Sequence, residues 1–411
     1  MINVEKLFCG AVLIVERNDG VESVSMTCLL PCGDAYDPSD RLGRAAMWSE
    51  LLLRGAGELD SRAQADAFDR VGAVRSSDNG RVFVRLGATC LGSRLGETIP
   101  LIAQMIRRPL MTPESVEASR EIALQAIASL EDDPQHRATL AVRARHLPDP
   151  LGRSGYGDEP GLRALTRDEL VEGWERCALP VGSIIAISGA VDADPVRAAL
   201  DRELDGWAGE TEAFAIDDSP QRGYAHEDDD GEQVQILMAH DAPPAGTSET
   251  MKQRLLTAVL SGGMSGRLFT EVRERRGLCY SVSASYSADR DFGVVSAYVG
   301  TTPERAQESL DVLNDEMRKI GSPGSEITRD EYDRARVGLK SRLVFSGEST
   351  SARAGSLAGD WYRLGRTRTL EERAAEVDAV SLEELNAYAA GLDMGRLTIQ
   401  TVGPRALTPP A

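Results

Sequence analysis

The chain has 411 residues, a formal net charge of −19, 27% charged residues and 42% hydrophobic residues. That length exceeds one ordinary core, and the composition is that of a soluble globular protein with two or more domains. The acidic balance argues against a nucleic-acid partner, and no run of about 18 apolar residues exists to span a membrane.

The opening MINVEKLFCGAVLIVERNDG carries an apolar patch of strand length. It has no basic leader and no small-residue cleavage site, so it reads as a β-strand at 11–16 of a cytoplasmic protein and not as a signal peptide. A strand at 21–30 follows. RAAMWSELLLRG (44–55) gives an apolar helix at 43–54 ended by Gly55, then a short helix at 61–71. Strands are predicted at 73–77 and 82–89, and helices at 95–107 and 113–131. Thr112 is the N-cap of the last of these, with Pro113 in its first turn. TRDELVEGWERCALPVGSIIAISG (166–189) is a capping box of Thr166 with Glu169, a helix, and a β-branched strand closed by Gly189. The stretch 216–232, IDDSPQRGYAHEDDDGE, is acidic, lacks apolar periodicity and reads as a linker.

Beyond it come a strand at 234–240, helices at 249–260 and 265–275, and strands at 280–288 and 293–300. A helix at 303–320 takes Thr302 as N-cap, and another runs from Thr328, boxed with Glu331, to 343. SLEELNAYAAGLDMGRLTIQTVG (381–403) repeats the 166–189 pattern, with Ser381 and Glu384 as its capping box. Three pairs of elements therefore recur in the same order at offsets of about 210–216 residues: 44–55 with 254–263, the Thr112 helix with the Thr328 helix, and 166–189 with 381–403. That periodicity implies two homologous domains, with boundaries 1–215 and 233–411 around the linker 216–232. Hairpin-like strands with helices between them give an α+β class: two αβ-sandwich domains, each a mostly antiparallel sheet with helices packed on it.

The six cysteines are scattered, form no C-x-x-C pair, and are expected to stay reduced. The four histidines, His136, His146, His226 and His240, include no pair at i, i+3 or i, i+4. The run from His226 to Asp230 reads as a solvated acidic stretch, since a flexible run does not fix coordination geometry. SGGMSGR (261–267) looks phosphate-like but lacks the spacing of G-x-x-x-x-G-K-[ST]. Gly262 and Gly263 are expected to end the preceding helix and turn the chain with φ > 0. Seven residues separate Arg273, a planar fork of donors, from Tyr280, a phenolic hydroxyl, across a helix-to-strand turn. Cys279 is expected to face away from Tyr280 on the strand.

Segment 263–283, with its Gly-rich turn, Arg273 and Gly277-Leu278-Cys279-Tyr280-Ser281-Val282, resembles a motif of the pitrilysin/insulinase-type zinc peptidases. The resemblance extends over nearly the whole chain. Residues 42–55 fall on that family's zinc helix, Asp132-Asp133-Pro134 on the turn after its second zinc-site helix, and 147–157 on a following loop. Size and duplication match the short two-domain form, which includes mitochondrial processing peptidase subunits. The resemblance implies that Arg273 and Tyr280 bind peptide and stabilise the transition state. It also implies that H-x-x-E-H should occupy 46–50, two His on one helical face with a Glu to activate water. Here the His positions hold Ala46 and Glu50, the base position holds Ser49, and the third ligand, eight residues before Pro134, falls on Ala126 beside Gln125. A methyl offers no lone pair to a metal and a hydroxyl is no carboxylate base. Glu50 is expected to pair with a nearby Arg instead.

The reading is a non-catalytic, substrate-binding subunit of a heterodimeric zinc metalloendopeptidase, with no metal or cofactor of its own. Its expected partners are a homologous catalytic subunit that carries the zinc motif, closing with it like a clam shell around a chamber, and unfolded peptides. A homodimer in isolation is compatible with it. The alternative is a peptide-binding or scaffold protein of the same fold without peptidase activity.

Overall fold

The computed structural model describes residues 2–216 and 220–410. They form two compact units. The first comprises Met1–Ser129, Asp149–Asp217 and Ser346–Thr367; the second comprises Leu130–Pro148, Asp218–Phe345 and Arg368–Ala411.

In the first unit, β1 (Ile2–Lys6), β2 (Val12–Arg17), β3 (Ser23–Leu30), β6 (Val74–Asn79), β7 (Val84–Leu91) and β8 (Ile184–Gly189) build a six-stranded sheet; β4 (Gly55–Ala56) and β5 (Leu59–Asp60) form a separate small hairpin. The sheet order is β1-β2-β8-β3-β7-β6, antiparallel except where β2 meets β8. Neighbouring residues of a strand face opposite sides. Leu13 and Val15 of β2 join the large core with Trp48, Phe68 and Ile99, whereas Ile14 packs with Ile184, Ala186, Leu357 and Ala358 on the other face. Burial on both faces is why VLIV and IIAI read as unbroken apolar runs.

In the second unit, β9 (Gly223–Asp228), β10 (Val234–Ala242), β11 (Cys279–Ala288), β12 (Gly293–Thr301) and β13 (Thr398–Gly403) assemble in the order β11-β12-β10-β13-β9. Only β13 and β9 run parallel. That is the order β6-β7-β3-β8-β2 repeated, so the duplication legible in the sequence is also a duplication of topology. The capping boxes at Thr166 and Ser381 are both formed, Thr112 caps its helix, and Thr328 and Glu331 bond reciprocally.

Four expectations are corrected. The stretch read as a linker contains β9, whose polar residues are tied down: His226 Nδ1 lies 2.8 Å from Thr401 Oγ1, and Arg137 pairs with Glu227 at 3.1 Å and with Asp229. Residues 217–219 of that stretch lie outside the described residues. Thr302 is not a cap; the helix starts later, at Ala306–Lys319, with no side-chain cap. The segment 265–275 is not a regular α-helix, because Phe269–Glu274 widens to a π turn. Gly262 has φ −77°, so the left-handed turn falls to Gly263 alone, at φ +146°.

Each sheet also receives a helix from the other half of the chain. Pro134–His146 docks on β10 and β13, where Ala138 and Val142 meet Leu237, Ala239 and Val402. Thr350–Leu364 docks on β3 and β8. At the end of the first of these helices His146 is 1% exposed, with Nδ1 2.9 Å from Thr398 Oγ1 and Nε2 3.4 Å from Asp241. Burial, then the nearby Arg222 charge, push its imidazole from 6.5 down to about 4, against the pull of Asp241. Well above pH 6.5 the ring is neutral whether the chain is folded or not. Between pH 6.5 and 4 mainly the unfolded chain takes up the proton, so stability is lost as the pH is lowered through that window, by about 3 kcal/mol in all. Urea unfolding at a series of pH values is expected to show this slope in the wild type and a shallower one in His146→Gln. Buried His240, also lowered by burial, acts in the same direction and leaves a residual slope in the variant.

Candidate functional site

The residues that the resemblance places at the metal positions lie in the first unit. The helix Arg44–Leu51 begins at Gly43, whose φ of +104° breaks the preceding chain, and its free N–H groups are met by Asp37: Gly43 N and Ala45 N donate to its carboxylate at 2.9 and 3.2 Å. Burial raises the Asp37 carboxyl to about 6, even with Arg44 and these N–H groups opposing it. Trp48 is fully buried, edge-on to Trp174 at 5.5 Å and beneath the Arg44 guanidinium at 4.7 Å. The helix is therefore anchored as a scaffold element, and Pro113–Ala128 packs against it.

On these two helices Ala46, Ser49, Glu50 and Ala126 are all half-buried. Ser49 Oγ donates 2.8 Å back to the Ala46 carbonyl, and Glu50 pairs with a nearby arginine, Arg54, at 3.5 Å. Two methyls, a hydroxyl turned into its own helix and a carboxylate already paired do not fit zinc, which takes N, S or O⁻ ligands in a tetrahedron. Among the described residues no group of three His, Cys, Asp or Glu side chains could hold a metal ion. The cysteines are free.

Arg273 and Tyr280 lie together in the second unit, on either side of the turn that leads into β11. Leu268, Val272 and Leu278 are buried and fix this segment to the core. Between them the backbone widens and bulges: Arg275 N bonds to Thr270 O at 2.9 Å, five residues back, and Gly277, at φ +60°, reverses the chain. Such π turns put one extra residue into a helix and often mark functional sites. Arg273 is carried to the surface, its guanidinium 4.8 Å over the Phe269 ring.

The neighbouring charges sort themselves. Glu271 binds Arg275 at 2.5 Å and Arg276 at 3.1 Å. Arg273 makes no ion pair among the described residues. Sequence reasoning did not single out Glu271 or Phe269, although Glu271 to Arg275 and Phe269 to Arg273 both have the i, i+4 spacing that signals such pairs. Tyr280 sits at a bulge. Cys279 pairs with Thr301 and Ser281 with Gly300, which leaves Tyr280 without an opposite residue. Its side chain is 69% exposed, and its hydroxyl has no partner among the described residues. Cys279, half-buried beside it, has its thiol raised by burial, which makes it a poor nucleophile.

β11 is also the edge of its sheet, so one side of its backbone is unpaired and open to an added strand. The second unit thus offers, within one short segment, a free guanidinium, a free phenolic hydroxyl and an open strand edge. These groups can hydrogen-bond an extended peptide and a developing oxyanion; they cannot activate water.

Two family models match the chain: "Insulinase (Peptidase family M16)" over residues 12–159 and "Peptidase M16 inactive domain" over residues 164–339. Among curated proteins, an uncharacterized zinc protease of Mycobacterium tuberculosis is 28% identical over 405 residues, covering 96% of this chain and 91% of its own length. One of Bacillus subtilis is 23% identical over 406 residues, covering 97% and 98%. Among solved structures, a peptidase M16 inactive domain from Pseudomonas fluorescens superposes with a TM-score of 0.86 at 18% identity, covering 100% of this chain and 99% of that one. A protease from Helicobacter pylori gives 0.87 at 16%, covering 98% and 99%, and a chain of Complex III2 from Candida albicans gives 0.84 at 16%, covering 98% and 96%. Among the described residues no helix is long and apolar enough to cross a membrane.

Proposed function

The chain belongs to the M16 (insulinase) peptidase family, and from that premise we propose that it is the non-catalytic, substrate-binding subunit of a heterodimeric zinc metallopeptidase. The observation that carries this reading is an asymmetry between its two halves. The metal positions hold Ala46, Ser49, Glu50 and Ala126, while Arg273 and Tyr280 are present, exposed and unpaired. A homologous partner with H-x-x-E-H would supply the metal and its activated water. This chain supplies two contacts. The Tyr280 hydroxyl donates a hydrogen bond to the oxyanion that forms as the scissile carbonyl is attacked, and the Arg273 guanidinium holds a substrate carbonyl nearby. Substrate is held in extended form along β11 by main-chain bonds, which give affinity with little sequence preference.

The test uses the purified chain alone and mixed with such a partner. Alone it is expected to bind no stoichiometric zinc and to cleave no unfolded peptide; the mixture is expected to do both. Zinc held tightly by the isolated chain, or unaided hydrolysis, would refute the proposal. A second reading, a scaffold without peptidase activity, draws support from the likeness to a chain of Complex III2. It predicts that no partner restores cleavage.

A further inference from the structure

We infer that a cleft in the second unit, between the glycine turn at 262–266 and the helix Arg329–Gly347, binds a carboxylate group of a peptide between Arg334 and Arg342. The cleft is small and open to solvent, with a volume of about 70 Å³. Its walls are small: Ala258, Gly262, Gly263, Ala335 and Gly338 line it, with the two arginines at its sides. Gly338 lies within a 19-residue helix, where glycine is the poorest helix former after proline. A Cβ added there would meet nothing within 4 Å, so neither backbone geometry nor crowding requires glycine at this position. Its effect is to leave a dent in the helix. Arg334 and Arg342 stand four residues before and after it, on the same helical face.

Charge decides what fits. Glu331 also borders the cleft, but its carboxylate is held by Arg267 through Nε at 2.7 Å and Nη2 at 2.9 Å. Burial works to raise the Glu331 carboxyl; the Arg267 and Thr328 hydrogen bonds more than offset it and hold the group at about 2. That pair is neutral as a whole. Neither Arg334 nor Arg342 makes a hydrogen bond or ion pair among the described residues. The cleft is therefore a positive island in a chain of net charge −19. The apolar lining is limited to Ala258, Val259 and Ala335, too little to seat a large side chain, so recognition falls to two guanidinium forks, whose planar geometry matches a carboxylate. Gly266 N of the glycine turn is bonded to Gly263 O at 2.9 Å, so one of the backbone N–H groups that a phosphate cradle would use is taken. The carboxylate is either the C-terminus of a peptide or an Asp or Glu side chain within it. Only this choice of a peptide as the source rests on the function proposed above.

The isolated full chain is titrated by fluorescence anisotropy with a labelled, uncharged, unstructured ten-residue peptide in three forms: free C-terminus, C-terminal amide, and amide with one internal Glu. The plain amide is expected to bind at least about tenfold more weakly than a form bearing the carboxylate. Tight binding of the free-terminus form alone assigns the site to a chain end, and tight binding of the Glu form assigns it to an acidic side chain. Arg334→Ala with Arg342→Ala is expected to erase the difference. Gly338→Leu, which fills the dent and favours the helix, is expected to erase it too, without lowering the melting temperature. Equal binding of all three forms, no effect of the double arginine variant, or displacement by millimolar phosphate but not by acetate would overturn the inference. Cleavage with a zinc-bearing partner, and its dependence on Tyr280, would be untouched by any of these results.

Discussion

Tyr280→Phe is expected to slow peptide cleavage by the reconstituted pair about a hundred- to a thousandfold, the usual effect of deleting one oxyanion donor. The change removes a single O–H. That hydroxyl has no partner among the described residues and its ring is 69% exposed, so the fold loses nothing, and the stability change is expected to stay within about 0.5 kcal/mol. The loss should fall on kcat, because the bond is made only once charge has moved onto the carbonyl oxygen. Arg273→Ala should act differently. A guanidinium that grips a substrate carbonyl holds ground state and transition state alike, so KM is expected to rise as well. Arg275→Ala and Arg276→Ala serve as controls, since both side chains are committed to Glu271. Rates are to be measured with zinc content and complex assembly checked in parallel. A Tyr280→Phe, Arg273→Ala double variant with wild-type kcat/KM would remove both residues from the mechanism.

Arg353→Ala is expected to lower the unfolding free energy by about 3–5 kcal/mol. Arg353 is 3% exposed and grips Glu16 of β2 through Nε at 2.6 Å and Nη2 at 2.8 Å. Glu16 also accepts from Ser188 Oγ of β8 at 3.1 Å. Truncating the arginine leaves a carboxylate in a largely dry site with one hydroxyl for company. The penalty is that of an orphaned charge and not of a missing attraction. Replacing both partners by apolar residues, as in Glu16→Leu with Arg353→Met, should recover most of it. Urea unfolding of the two single variants and the double variant decides the matter. A loss under about 1 kcal/mol for Arg353→Ala would mean that water reaches Glu16.

What the sequence made legible followed from local chemistry. Thr166, Ser381, Thr112 and Thr328 announced helix starts because a hydroxyl three residues from its N–H partner needs no tertiary context. The repeat of apolar helix, capped helix and β-branched strand exposed the duplication for the same reason. What stayed hidden depended on distant partners. β9 has no alternating pattern because Tyr224 and His226 are satisfied by Thr401, about 175 residues away. The helix Pro134–His146 shows little apolar stripe because Arg137, Arg145 and His146 make polar contacts to β9, β10 and β13 while its apolar contacts to the sheet come from the short side chains of Ala138 and Val142. At the candidate site the types and spacing of Arg273 and Tyr280 were readable, but the π turn and the bulge were not. Each arises from one extra residue accommodated against a neighbouring element, and a single sequence carries no mark of that.

The crossing of Pro134–His146 and Thr350–Leu364 to opposite halves has a consequence for biosynthesis. As the chain leaves the ribosome, the first sheet lacks the helix that shields Ile14, Ile184 and Ala186 until Leu357 and Ala358 have emerged. That apolar face stays uncovered from the completion of β8 at Gly189 until the helix Thr350–Leu364 has been made. Neither half can be excised to leave a finished module, and a premature stop before residue 350 would strip a layer from the half already made.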